Sequence, residues 1–522
     1  VRILGIHREP WHDTGAAVLV EDCGGVEIVS ITQERLDRVK DSRAFPGDAI
    51  DYCLKASGMS SLDEIDLVVS DYIEPAVAKQ TQTLPPEKIA PEKMAIINHH
   101  QAHAAGAFYS SPFDEAAVLV VDGRGSDKET QSLFTASRES GVRLLEKSGI
   151  LGLGLLYATV TVKIGFGILN EGKTMGLAPY GGGSRKDIID WPSIRRYSGI
   201  HTDYTGLCHG RYDMRPALPP MSDDVRARLA FEVQREIEHG MLYLARRARE
   251  ITGMKNLCIS GGVGLNSVAN NRIVQEKIFD GVFIHPACSD TGIPLGCALH
   301  GYHHILSGRG RFNFNNAHMG RAYTPGEMDC AIKSSAGFRV CCDDDDSKTV
   351  ELLTDNKVLG WFQGGSEIGP RALGNRSILM NPGRAENKDH LNERVKHREN
   401  FRPFAPAVIG ERAGEYFDLD RPSPFMLLVA DVLPGAREKI PAVTHIDGTA
   451  RVQTVSMNSN PAFYRLMEKF GEATGTPVLL NTSFNVAGEP VVETPDDAIR
   501  CFLSTGIDAL RLGKNLLLKD AA

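Results

Sequence analysis

An α/β fold is predicted, and three observations predict it. Apolar runs of strand length alternate with stretches of helical spacing. Glycine-rich turns follow several of those runs directly. Two of the resulting strand–turn units, HDTGAAVLV and VLVVDGRGSD, resemble one another and suggest two similar halves.

The elements follow in order. Val1–His7, Gly15–Val20 and Val26–Thr32 read as three short strands. Gly47–Ser57 has helical spacing, with Ile50, Cys53 and Leu54 on one face. Ile65–Ser70 is a strand ended by Asp71. Ala116–Val121 is a continuous apolar run closed by Asp122-Gly123, which suits a strand buried on both faces. Ser222–Thr252 is a long helix, and Leu257–Ser260 is a strand running into Gly261-Gly262-Val263-Gly264. A composition shift after Gly308 places a domain boundary between about residues 315 and 345, giving domains 1–330 and 331–522. The acidic run Asp343–Asp346 reads as a solvated helix start. Lys357–Gln363 opens a second α/β unit that carries a basic segment.

Composition narrows the function. The chain has 522 residues, with 58 Lys+Arg against 66 Asp+Glu and a net charge of −8. It is 42% hydrophobic and 24% charged, which excludes disorder over most of its length. The mild acidity argues against a nucleic-acid partner, whose phosphates need a basic surface. The most apolar stretch, Leu151–Leu169, holds Lys163 and four glycines and reads as buried loop and helix, so no membrane partner is expected. The N-terminal VRILGIH reads as a strand rather than a leader. Ten scattered cysteines without a C-x-x-C pair fit a reduced, cytoplasmic protein.

Three constellations carry chemistry. In Asn98-His99-His100-Gln101-Ala102-His103, His99 and His103 stand at i and i+4, one face of a helix, a spacing that places two nitrogens on one metal. Asp122 and Asp290 are candidate further ligands, each read as ending an apolar strand beside glycine; taken singly, either is an ordinary turn residue. Two histidines plus carboxylates with open positions suit Fe2+ or another divalent ion better than structural zinc. The loop SGGVGLNS, between strand and helix, and the glycine turn Gly172-Lys173-Thr174-Met175-Gly176 are candidates for nucleotide contacts. His12-Asp13 offers an imidazole with an orienting acid, or a plain exposed turn. In the basic segment, arginines and lysines held by Gly/Pro turns form a candidate polyanion pocket, the bland alternative being a salt-bridged surface.

In order along the chain, HHQAHAA, VVDGRGSD, GKTMGLAPYG, SGGVGLNS, EIGPRALGNRS, RVKHRENFRPFAP and NTSFNVAGEP resemble the O-carbamoyltransferases of the nodulation, cephamycin and tobramycin type (the NodU/CmcH family). The resemblance implies an actin/sugar-kinase-like (ASKHA) N-terminal domain and a YrdC-like C-terminal domain. The second would join carbamoyl phosphate to ATP, used with Mg2+, releasing pyrophosphate and giving carbamoyl adenylate. The first would move the carbamoyl group to a hydroxyl of a small-molecule acceptor, an antibiotic or sugar. Carried over by motif, His99, His103, Asp122 and Asp290 would hold an iron-type ion. Gly172, Lys173, Gly261, Gly262 and Asn266 would contact the adenylate. Arg371, Lys396, Arg451, Asn481 and Ser483 would bind carbamoyl phosphate and ATP, served also by Lys40, and His12 would be the acceptor-side base. Ala487 departs from the pattern, standing where relatives have a basic residue. The segment between Gly181 and Arg228 matches no motif and is expected to help build the acceptor pocket. The alternatives are a tRNA threonylcarbamoyl-type enzyme, a nucleotide-binding regulator on the same fold, and a metallohydrolase using the histidine cluster alone.

Overall fold

The computed structural model describes residues 1–8, 12–73, 91–183, 186–208, 212–214 and 218–520. The chain divides into two compact units, Val1–Gln33 with Ser42–Phe314, and Glu34–Asp41 with Asn315–Ala522. The break falls after Phe314 rather than after residue 330. Residues 318–322 pair as a strand with Gly365–Glu367, so they go with the second unit.

The first unit is built twice over. Its strands are β1 (Arg2–His7), β2 (Gly15–Asp22), β3 (Gly25–Thr32), β4 (Leu67–Tyr72), β5 (Met94–Asn98), β6 (Glu115–Val121), β7 (Gln131–Ser137), β8 (Gly141–Ser148), a small hairpin β9 (Arg196–Ser198) and β10 (His201–Asp203), β11 (Asn256–Ser260) and β12 (Gly281–Ile284). One sheet has the order β3-β2-β1-β4-β5 and the other, read the same way, β8-β7-β6-β11-β12. In each, three antiparallel strands are extended by two parallel ones. The two similar halves read from the sequence are thus present, and the unit is a duplicated α/β arrangement. The central β1 and β6 carry Ile3, Leu4, Val118, Leu119 and Val120 at zero exposure, which is why both read as unbroken apolar runs.

This duplication decides where the chemistry sits. His12-Asp13 lies in the turn before β2, and Asp122 follows β6, so both occupy the first turn of their sheets. The helices His99–Ser110 and Ile293–His300 follow the last strands β5 and β12. Those helices cross closely: a Cβ on Gly296 would lie 2.0 Å from the Ala102 carbonyl oxygen, and one on Gly106 3.3 Å from the Gly296 Cα. Only glycine permits that approach. Asn98 caps the first helix, its side chain accepting from the Gln101 N–H.

Two local expectations are corrected. Gly172–Gly176 is not a glycine turn but lies in the helix Glu171–Leu177, because neither glycine needs a positive φ there. Asp290 does not end a strand. It opens the 3-10 turn Asp290–Gly292 that leads into the helix Ile293–His300, the strand having ended at Ile284.

The second unit holds β13 (His318–Ala322), β14 (Phe338–Cys342), β15 (Leu359–Phe362), β16 (Gly365–Glu367), β17 (Arg376–Met380), β18 (Ala405–Ile409), β19 (Val429–Asp431), β20 (Thr449–Arg451), β21 (Gln453–Val455), β22 (Val478–Ser483), β23 (Ala509–Leu512) and β24 (Asn515–Lys519). Eight of them form one mixed sheet, β14-β24-β23-β15-β17-β22-β18-β21. Apolar clusters pack on it, one around Phe362, Ile378, Leu480 and Phe502, the other around Trp361, Leu379, Phe463 and Leu479. The segment Glu34–Asp41 is pinned to this unit by Arg38, which donates to the Val491 and Pro490 carbonyls at 2.7 and 2.8 Å. The acidic run does start a helix, Ser347–Thr354, yet Asp343 is buried there, accepting from the Lys348 and Thr349 N–H groups. Among the described residues, no helix is long and apolar enough to cross a membrane.

Candidate metal centre and anion pocket

The first turns and last helices of the two halves bring four ligand-type side chains together. His99, His103, Asp122 and Asp290 are all buried, and one ligand atom from each lies within 4.8 Å of every other. His99 Nε2 is 3.3 Å from Asp122 Oδ2 and 3.4 Å from Asp290 Oδ1; His103 Nε2 is 3.6 and 3.5 Å from the same two atoms.

Hydrogen bonding on the far side of each ring fixes what it presents. The Asp71 carboxylate can only accept, so His99 Nδ1 donates to its Oδ2 at 2.7 Å. Ser260 Oγ donates to the Cys288 carbonyl, so at 3.2 Å it accepts from His103 Nδ1. Both imidazoles therefore turn lone pairs on Nε2 toward two carboxylates. His103 Nε2 is buried and has no hydrogen-bond partner among the described residues. With both rings neutral, four acceptors would face one another, an arrangement that is costly unless a proton or a metal ion joins them. The donor set, two imidazole nitrogens and two carboxylate oxygens, fits a divalent ion of the iron type. The carboxylates of the cage favour positive charge at its centre. Burial works against charge on His99, but Asp290, Asp122 and Asp71 outweigh it and hold the imidazole well above its ordinary value. Burial opposes charge on Asp290 also, yet His99 and His103 hold its carboxyl well below the usual range.

His12 stands at the edge of this cage. Its Nε2 is 3.7 Å from Asp290 Oδ2, and its Nδ1 is 3.2 Å from Asp13 Oδ2. Asp13 adopts φ 59°, a left-handed conformation uncommon outside glycine, in the turn that carries both residues. Burial disfavours the His12 cation; the Asp13 hydrogen bond and the Asp290 and Asp122 charges overcome it, pushing the imidazole up to about 9.

The glycine loop after β11 is tied to the cage. The Gly262 N–H donates to Asp122 Oδ1 at 2.9 Å, leaving Oδ2 for the centre. Gly261 has φ 89°, and a Cβ there would lie 2.2 Å from the Val121 carbonyl oxygen. Asn266 is engaged locally: its Oδ1 caps the helix Ser267–Gln275 at the Ala269 N–H, and its Nδ2 donates to Gln234 Oε1 at 2.9 Å. In the helix Glu171–Leu177, a Cβ on Gly172 would meet nothing within 4 Å, and Lys173 Nζ lies 6.0 Å from the centre of the Phe166 ring.

The segment between Gly181 and Arg228 packs on the long helix Asp223–Thr252. Glu232 accepts from the Ile188 and Ile189 N–H groups and the Trp191 indole, while Glu236 pairs with Arg195. Residues 184–185, 209–211 and 215–217 of that segment lie outside the described residues.

In the second unit a cluster of cations forms. Burial, then repulsion from Arg371, Arg398 and Arg402, pushes the Arg451 guanidinium well below its ordinary value. Burial and the Arg402 charge push Arg398 down to about 9. Glu399 is the acid that faces Arg398 and Arg402. Arginine does not give up its proton in proteins, so these shifts register electrostatic strain that a bound anion would relieve. Arg451 Nε and Arg398 Nε are buried without a hydrogen-bond partner among the described residues.

The other predicted residues of this pocket have protein partners. Lys396 Nζ donates to the Ser483 and Asn485 carbonyls, both at 2.9 Å, and to Asn485 Oδ1 at 2.6 Å, while Ser483 Oγ donates to the same Oδ1 at 2.7 Å. Lys396 therefore shapes the loop after β22. Asn481 Nδ2 donates to Gln453 Oε1 at 2.7 Å and to the Ala372 carbonyl at 3.2 Å, and its buried Oδ1 has no partner among the described residues. Lys40 belongs to the same unit and pairs with Asp41 at 2.9 Å.

Sequence reasoning gave no site role to Asp71 and Glu367, and it placed Arg398 and Arg402 in the basic segment of the polyanion pocket without a role of their own. Asp71 lies at the end of an apolar strand, the signal that singled out Asp122. Glu367 Oε1 accepts from the Leu373, Asn375 and Arg376 N–H groups at 2.7, 2.8 and 3.2 Å and so folds the loop that carries Arg371.

Residues 2–93, 82–191 and 217–299 match the family described as Carbamoyltransferase N-terminus, and residues 350–519 match Carbamoyltransferase C-terminus. An uncharacterized protein of Synechocystis is 35% identical over 99% of this chain and 97% of its own. The nodulation protein NolNO of Sinorhizobium fredii is 35% identical over 98% of this chain and 79% of its own. The nodulation protein NolO of Bradyrhizobium diazoefficiens is 36% identical over 82% of this chain and 79% of its own. Among solved structures, full-length HypF in its phosphate- and nucleotide-bound form is a distant likeness, at 14% identity over 57% of this chain and 55% of that one, with a TM-score of 0.34. With both halves matched and relatives this similar over nearly its whole length, the chain belongs to the carbamoyltransferase family.

Proposed function

We infer that this carbamoyltransferase works in two steps, with one step in each unit. In the second, YrdC-like unit, carbamoyl phosphate, ATP and water give carbamoyl adenylate, phosphate and pyrophosphate. In the first, the hydroxyl oxygen of a small-molecule acceptor attacks the carbamoyl carbon, the bond to AMP breaks, and the hydroxyl proton passes to His12. The observation that carries this reading is the pairing of two unlike sites: a cage of acceptors that calls for a cation, and a buried arginine cluster that calls for anions.

Each group has a task in the reading. Arg371, Arg398, Arg402 and Arg451 hold the phosphates of ATP and carbamoyl phosphate, where Mg2+ accompanies the nucleotide. Lys396, Ser483 and Asn481 shape the wall of that pocket, and Lys40 serves it from the segment pinned by Arg38. The glycine loop at Gly261-Gly262, capped by Asn266, and the helix holding Gly172 and Lys173 receive the adenylate. A divalent ion of the iron type in the cage would supply a Lewis acid for the carbamoyl oxygen. His12, oriented by Asp13, takes the proton, a role that requires a cation in the cage to offset the Asp290 and Asp122 charges that otherwise hold the imidazole protonated. The acceptor is a hydroxylated natural product, an antibiotic or a sugar. The family match skips residues 192–216, inside the segment assigned to the acceptor pocket, as expected where relatives differ in acceptor.

Incubation with ATP and carbamoyl phosphate, without acceptor, tests the first step. Pyrophosphate and carbamoyl adenylate are expected. Formation of ADP in place of pyrophosphate would replace the adenylate route with phosphoryl transfer. Mass spectrometry of the same mixture with a panel of hydroxylated natural products then identifies the acceptor.

A further inference from the structure

Behind the cage lie two buried groups to which the four-ligand site gives no task, Asp71 and His7. Both side chains have zero exposure. Asp71 is on β4 and His7 ends β1, the two strands being neighbours in the first sheet. The Asp71 carboxylate is shared. His7 Nδ1 lies 2.9 Å from its Oδ1, and His99 Nδ1 lies 2.7 Å from its Oδ2. A carboxylate without a proton has only lone pairs to offer, so both rings must donate from Nδ1. When neutral, as a metal ligand must be, each ring is thereby the tautomer with its lone pair on Nε2. On His99 that atom is a member of the cage. On His7 it is buried, has no hydrogen-bond partner among the described residues, and lies 4.0 Å from Asp290 Oδ2.

We propose that Asp71 is a positioning residue of the metal centre. It sets the tautomer, the orientation and the donor strength of His99, and His7 holds it in place from the other side. The proposal rests on the cage being a metal site and adds two residues to it. Outer carboxylates of this kind raise the basicity of a ligating imidazole and fix its ring, and their loss typically costs about 10- to 100-fold in metal affinity. His103, one turn along the same helix, has the neutral Ser260 behind it, so His99 is the imidazole given an anionic partner.

The test is titration of Co2+ into the full-length chain in competition with a chromophoric chelator, with the absorption bands of the bound ion recorded alongside. The parent is expected to bind Co2+. Asp71→Asn, which keeps the shape and removes the charge, should bind about 10- to 100-fold more weakly and shift the bands, because His99 becomes a poorer donor. Asp71→Ala should do the same or more. His7→Asn, whose amide N–H can still donate to Asp71, should stay close to the parent, while His7→Leu should fall below it. A merely structural role would lower the melting temperature of the metal-free chain and leave the bands in place. If Asp71→Ala does not fold, the isosteric Asp71→Asn carries the test. Parent-like affinity and parent-like bands in Asp71→Asn would overturn the proposal while leaving the cage intact. A parent that binds no Co2+ would overturn the metal reading itself and this proposal with it.

Discussion

The cage turns on a single imidazole nitrogen, His103 Nε2. It is buried, bears a lone pair, and faces two carboxylates. Replacing His103 or His99 by alanine removes a ligand, so bound metal measured per folded chain should fall sharply, and carbamoyl transfer with it. Unchanged metal content in both variants would make the cluster structural. His12→Ala should slow transfer by about 10²–10⁴, the usual range for general acid–base catalysis, with no change in metal content. His12→Asn retaining parental rates would make His12 a turn residue. That His99 and His103 share one helix face was legible because i, i+4 spacing on a helix is a local property. Asp122 and Asp290 were candidates because each was read as following an apolar strand beside glycine, a local signal that ordinary turn acids share, and the resemblance added weight to both. The pairing of Asp71 with His7 and His99 was not legible, because it depends on β1 and β4 lying side by side and on a helix start 28 residues away from Asp71.

Elements matter because the cage is assembled by their ends. The crossing of His99–Ser110 with Ile293–His300 brings His99 and His103 to Asp290, and Gly296 lets the two backbones meet. Gly296→Val would place carbon where the Ala102 carbonyl oxygen lies, at 2.0 Å. The variant should lose about 1–3 kcal/mol of stability or more in urea unfolding, and should bind metal more weakly although every ligand remains. Parental stability and metal affinity would show that the crossing does not set the site. Apolar strands with glycine turns were read correctly from the sequence, since both are written in local composition. Gly172–Gly176 was misread as a turn because two glycines near a lysine look alike in a loop and in a helix; the helix forms through its contacts with the rest of the unit, which the segment alone does not encode.

For the whole molecule, buried histidines predict a pH dependence of stability. Burial pushes His285 and His445 down to about 4, one in each unit. In the unfolded chain an imidazole titrates near about 6.5. Between those values the unfolded chain binds more protons than the folded one, so stability falls as the pH drops from about 6.5 toward about 4. Urea midpoints should therefore be lower at pH 5 than at pH 7; equal midpoints would mean these rings are not held neutral. The duplication of the first unit was legible as two similar motifs. The inclusion of Glu34–Asp41 in the second unit was not, because it rests on Arg38 reaching the Val491 and Pro490 carbonyls, far along the chain.

If adenylate forms in the second unit and transfer occurs in the first, release of pyrophosphate without acceptor separates the two. Arg451→Ala removes a fixed fork of donors from the anion pocket, and a charge-assisted contact is worth about 1.5–3 kcal/mol, roughly 10- to 150-fold. Pyrophosphate release should fall by that factor in Arg451→Ala and stay near the parental rate in His103→Ala, which fails only in transfer. Parental release in Arg451→Ala, or its loss in His103→Ala, would contradict the assignment of adenylate formation to the arginine cluster and of transfer to the histidine cage.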